Sequence, residues 1–109
     1  MSNGFKDREK AFEEKWAHDE DLRFKVEARR AKLVGLWAAG EMGLKSADAE
    51  AYARTVVEAD MTRPGDEDVF EKIRDDLAAK KIARTDHLIR SKMTELLATA
   101  KEQIMHEVK

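Results

Sequence analysis

The chain has 109 residues, 40% of them charged, with five glycines, one proline and no cysteine. That length holds one modest domain, and the mix favours helix. The lack of cysteine excludes disulfides, thiol catalysis and cysteine-based metal sites, and a net charge of −2 with acids and bases interleaved does not make a nucleic-acid surface. No stretch is apolar enough to span a membrane, and the N-terminus is charged from Lys6 onward, so a cytoplasmic protein is expected. The charge is unevenly placed: residues 1–20 are net −2, residues 21–45 net +3, residues 46–80 net −5 and residues 81–109 net +2. The acidic middle is therefore expected to pack beside the basic second half of the first helix.

Phe5 to Gly40 reads as one helix, with no proline and no internal break before Gly35. Such a run extends about 54 Å at ~1.5 Å per residue, more than the later helices can shelter. It carries two apolar faces. Phe5, Phe12 and Trp16 share one, at about 100° per residue. Leu22, Val26, Leu33, Leu36 and Trp37 share another, rotated from the first by roughly 60–100°. The second half is expected to sit in a bundle, with Trp37 among its large core members. The first half is expected to project or to be mobile. Phe24 lies nearly opposite Leu22 and Val26 and is read as a second packing face.

Gly40 and Gly43 suit the left-handed end of this helix. Ser46 is read as the N-cap of a second helix, with Asp48 and Glu50 in its first turn. Ala49, Tyr52, Ala53, Val56 and Ala59 give that helix a face of small residues that a neighbour can approach closely. The run Thr62-Arg63-Pro64-Gly65 stops it. Asp66 is read as the next cap, and Val69, Phe70, Ile73 and Leu77 as the buried face behind it. The stop near Lys81 is soft. Thr85 caps the last helix, whose stripe is Ile89, Met93, Leu96, Leu97, Ala100 and Ile104. The expectation is an all-α fold: a four-helix bundle over residues 20–109, and a mobile docking segment over residues 1–19.

A lone helix of about 15–20 residues is marginal in water. Residues 1–20 therefore have the profile of a segment that folds on binding, laying an amphipathic face into a groove. Burial of each aromatic would contribute very roughly 1.5–3 kcal/mol. The segment could equally lie back on its own bundle, or join two copies through its aromatic face.

Several runs resemble one known family. They are Asp7-Arg8-Glu9-Lys10-Ala11-Phe12-Glu13, Lys15-Trp16-Ala17-His18-Asp19, Phe24-Lys25-Val26-Glu27-Ala28-Arg29-Arg30 and Gly35-Leu36-Trp37-Ala38-Ala39-Gly40. Pro64-Gly65-Asp66-Glu67-Asp68-Val69-Phe70 and Arg90-Ser91-Lys92-Met93-Thr94-Glu95-Leu96 continue the match in order. Together they look like the zeta subunit of alphaproteobacterial F-type ATP synthase. The chain departs from the pattern at Ala31, where asparagine is expected, and at Trp16, where phenylalanine or tyrosine is more usual. Ala79 to His87 matches poorly. The resemblance implies a regulatory protein, not an enzyme. It implies that the N-terminal segment wedges as a helix into a catalytic alpha–beta interface beside the central rotor. There it would block hydrolysis more than synthesis, like a pawl. Carried over, Phe5, Phe12 and Trp16 would be anchors, with Arg8, Glu9, Glu13 and Lys15 as polar contacts. The protein would meet the membrane only through the synthase. The family also implies weak adenine-nucleotide binding, with Arg29, Arg30, Lys32, Lys45 and Ser46 as places to look; no cofactor is required.

Other constellations are better explained as structure. Gly40-Glu41-Met42-Gly43-Leu44-Lys45-Ser46 has the wrong spacing for a phosphate loop and no strand before it. His18, His87 and His106 lack partners at metal spacing. Glu13/Glu14, Asp19/Glu20/Asp21 and Asp66/Glu67/Asp68 sit on exposed faces or at helix starts. Carboxylates there have no pocket to shift them for catalysis.

Overall fold

A computed structural model describes residues 4–62 and 65–107, with side chains from residue 8 onward. Among the described residues there are five helices and no strand: α1 (Gly4–His18), α2 (Glu20–Glu41), α3 (Ser46–Thr62), α4 (Asp66–Ala79) and α5 (Asp86–Glu107). The all-helical class follows the sequence. The expected first helix does not, because it is two helices.

The break is at Asp19, whose backbone is extended at φ −112° and ψ 107°. Its carboxylate accepts the amide of Leu22 at 3.0 Å and caps α2. Lys15 and His18 end α1, while Glu20 and Asp21 open α2, so the charges suit both helix dipoles at the junction. The acidic run at 19–21 is thus a helix start inside a sequence that otherwise keeps helical spacing. With the chain turned there, α1 does not project. Phe12 is only 6% exposed.

Helix α2 is the axis of the fold. Its buried face runs through Val26, Arg30, Ala31, Val34, Gly35, Ala38 and Ala39. Leu33, Leu36 and Trp37, expected inside, are only partly buried. The small residues win the centre because α3 comes so close. A Cβ added at Gly35 would stand 2.8 Å from the Cα of Ala53. The small-residue face expected on α3 is the surface that permits this approach.

The larger core joins Ala31, Val34 and Ala38 to Val56 of α3, to Val69, Phe70, Ile73 and Leu77 of α4, and to Ile89 and Met93 of α5. A second cluster joins Leu22 and Val26 to Ala100, Ile104 and Met105 of α5 and to Phe12 of α1. The single apolar stripe of α5 is thus divided along its length between two neighbours. The acidic middle does pack beside the basic part of α2: Arg30, 3% exposed, is bonded to Asp66.

Helix ends follow local rules with small shifts. Ser46 and Asp66, read as caps, are each the first residue of their helix. Gly65, at φ 137°, precedes Asp66. Pro64 lies outside the described residues. Thr85 caps α5 as expected, accepting the Leu88 amide at 3.0 Å. Gly43, at φ 78°, ends α2 with Leu44 N–H on Ala39 O at 2.9 Å and Gly43 N–H on Gly40 O at 3.1 Å. Helix α4 ends by the same double bond pattern, from Ile82 N–H to Leu77 O at 2.9 Å and Lys81 N–H to Ala78 O at 2.9 Å. Its left-handed residue is Lys81, at φ 61°, which is why no glycine announced this stop.

Candidate functional site

The N-terminal helix carries one apolar stripe, and the structure places that stripe against α5 and α2. Phe12 sits among Leu22, Val26, Ala100, Ile104 and Met105. Trp16, one turn on, lies at the edge of this cluster with Leu33 and Leu97. The Lys101 ammonium stands 4.0 Å from the centre of the Trp16 ring and 3.4 Å from the Glu13 carboxylate. One lysine thus contacts α1 twice, by a cation–π contact and an ion pair. Trp16 Nε1 is buried and has no acceptor among the described residues.

Of the seven residues expected to meet a partner, Phe12, Glu13 and Trp16 are drawn to α5, so the described part of the segment lies back on its own bundle and does not project. The local reason is the turn at Asp19, which rotates the α1 stripe toward the lower part of α5. Arg8, Glu9 and Lys15 are exposed. Glu9 also lines a cleft of about 360 Å³ between α1 and α5, together with Glu13, Lys101 and Glu102. The side chain of Phe5 lies outside the described residues, as do Met1 to Asn3.

The five positions considered for nucleotide do not converge on one site. Arg29 reaches α5, where it donates to both oxygens of Glu107 at 2.6 and 2.9 Å and to Gln103 Oε1 at 2.8 Å. That pairing holds the Glu107 carboxyl below its ordinary range and raises Arg29. Arg30 points instead to the start of α4. Lys32 shares a shallow groove with Arg29, Lys25 and Phe24. Lys45 and Ser46 lie beyond the far end of α2, whose last residue, Glu41, is about 14 Å along the axis from Lys32 at ~1.5 Å per helical residue. Phe24, expected as a packing face, is 51% exposed.

A charged cluster escaped the sequence reading. Asp60 is 6% exposed and is pushed up to about 6, chiefly by burial and then by Glu27, against the opposing pull of Arg30; Asp66 adds to the rise. Nothing local marks Asp60, because its burial depends on α2 and α3 closing over it. Lys101 was missed for the same reason, since its partners lie 85 and 88 positions away along the chain. Among the described residues no group of three or more His, Asp or Glu could hold a metal, and no helix is long and apolar enough to cross a membrane. The acidic triplet at the start of α4 is committed to structure, Asp66 to Arg30 and Glu67 to Arg90.

Comparison with known proteins gives two findings. A family model described as ATPase inhibitor subunit zeta matches residues 1–103. The fold is similar to that of a chain solved in solution by NMR. The two share 45% identity over 80% of this chain and 99% of that one, with a TM-score of 0.70. No curated protein matches this chain.

Proposed function

This chain belongs to the ATPase inhibitor subunit zeta family, and from that premise we propose that it restrains ATP hydrolysis by the F-type ATP synthase through its N-terminal helix. The family is one of inhibitor subunits and not of catalysts. In the proposed mechanism α1 enters a catalytic alpha–beta interface next to the rotor. Phe12 and Trp16 bury there, with Phe5 as a third anchor. Arg8, Glu9, Glu13 and Lys15 pair with polar groups at the rim. A helix lodged between stator and rotor resists rotation in the hydrolytic sense. The rest of the chain remains outside as a handle, so that contact with the membrane on its cytoplasmic side runs through the synthase.

The observation that carries this reading is the division of labour in the core. Among the described side chains the larger cluster is built from α2 to α5 and contains no α1 residue, so α1 can serve a second surface without dismantling it. A homodimer joined through the same aromatic stripe would also have to displace α5, and no other feature favours it.

Deleting residues 1–19 tests the proposal. The shortened chain is expected to stay helical by circular dichroism and to lose inhibition of the cognate ATPase. Full inhibition by the shortened chain would remove the wedge from α1.

A further inference from the structure

The side chains that the proposed docking requires are already engaged within the chain. Phe12 is 6% exposed beneath α5, and Trp16 lies under the Lys101 ammonium. We propose that α1 folded on α5 is an autoinhibitory latch, with Asp19 as its hinge and Lys101 as its catch. The proposal rests on the reading of α1 as the inhibitory element and names its regulation.

The hinge is one residue long. At the start of α2, Asp19 takes the Leu22 amide on its carboxylate at 3.0 Å and the Arg23 amide on its carbonyl at 2.9 Å, with no bond from the described residues of α1. Helix α2 therefore keeps its first turn whether α1 is docked or not. The sequence on both sides of Asp19 keeps helical spacing, so a straighter α1–α2 arrangement is open to the same chain.

The catch is local and electrostatic. Across the cleft between the two helices, Glu9 and Glu13 of α1 face Glu102 of α5, and Lys101 is the one cation among the described residues of the lining. Without it, α5 would present only a like charge to α1. The closed state is also incompletely satisfied, because the Trp16 indole N–H is buried with no acceptor among the described residues. Opening returns that donor to water or to a partner. The cleft itself, about 360 Å³, leaves part of the α1–α5 seam unfilled beside Phe12. A partner that binds only the open form has its apparent affinity reduced by the closed fraction.

Lys101→Glu and the milder Lys101→Met test the latch, each measured by amide hydrogen exchange over residues 8–18 and by the onset of inhibition of the cognate ATPase. For Lys101→Glu, exchange in α1 is expected to rise about tenfold with α2–α5 unchanged, and inhibition to set in several-fold faster at equal concentration. Lys101→Met keeps the aliphatic stem over Trp16 and should fall between wild type and Lys101→Glu; it carries the test alone if the charge reversal does not fold. Unchanged exchange, or faster exchange without faster inhibition, overturns the latch while the inhibitory reading stands. A wild-type protein that inhibits at no concentration overturns the inhibitory reading itself, and the latch with it.

Discussion

At the scale of single residues, two positions are held by tertiary contacts that their own identity does not advertise. Gly35 is required by the closeness of α3, where an added Cβ would meet the backbone of Ala53 at 2.8 Å. Backbone cannot rotate aside as a side chain can, so Gly35→Ala should force α2 from α3. The expected loss is about 1–3 kcal/mol of unfolding free energy in denaturant melts, despite alanine's better helix propensity. Asp60 gives a pH signature. Burial, then Glu27, raises it from 3.8 to about 6, so the folded state holds its proton more tightly than the unfolded chain does. The contribution favours folding fully below pH 4 and is lost as pH rises through 6. Asp60→Asn should therefore gain stability over wild type between pH 4 and 7, by at most about 3 kcal/mol for a shift of ~2 units. Parallel stability curves for the two proteins over that range would count against a raised Asp60.

At the scale of elements, α1 differs from the other four helices in how it is held. Its described side chains contribute one buried residue, Phe12, to the smaller cluster, whereas α4 contributes Val69, Phe70, Ile73 and Leu77 to the larger one. A truncation in α4 must damage the whole core. In α1 the loss is capped by the free energy of docking, because the helix can leave. Phe12→Ala is thus expected to cost less than the ~3–5 kcal/mol of a phenylalanine deleted from a closed core. Its main effect should be faster amide exchange over residues 8–18, with the global midpoint shifted by a few degrees or less. A loss as large as that of Phe70→Ala would mean that α1 is an integral part of the fold. The helix ends also belong to this scale. Glycine marked the end of α2 in the sequence, but the equivalent turn after α4 uses Lys81 and gave no signal.

At the scale of the whole molecule, the chain is elongated, 51 × 29 × 27 Å, with α2 common to both clusters. This shape follows from lengthwise packing around one helix. It places the smaller cluster, and with it α1, at the lower part of α5 where Ala100, Ile104 and Met105 lie. The proposed inhibitor therefore combines a stable body with a helix of two possible homes, its own α5 and a crevice in the synthase. In the proposed mechanism, competition between those homes is set by differential affinity, so the same stripe of Phe12 and Trp16 would govern both closure and docking.

Much of this was legible in the chain alone. Spacing, caps and composition gave the helical class and the faces of α4 and α5, and they marked α3 as small enough for close approach. Runs in order along the chain gave the family. These are properties of local periodicity and of residue types, which act over a few positions. The sequence did not fix which face of α2 would be central, where Asp60 and Lys101 would find their partners, or that α1 would turn back. Leu33 and Trp37 look more like core than Ala31 and Gly35 until α3 is present to exclude them. Asp19 fits within a helix or at its start, and only the burial of Phe12 against α5 chooses between them. Local preference is nearly degenerate at that residue, and contacts between distant parts of the chain break the tie.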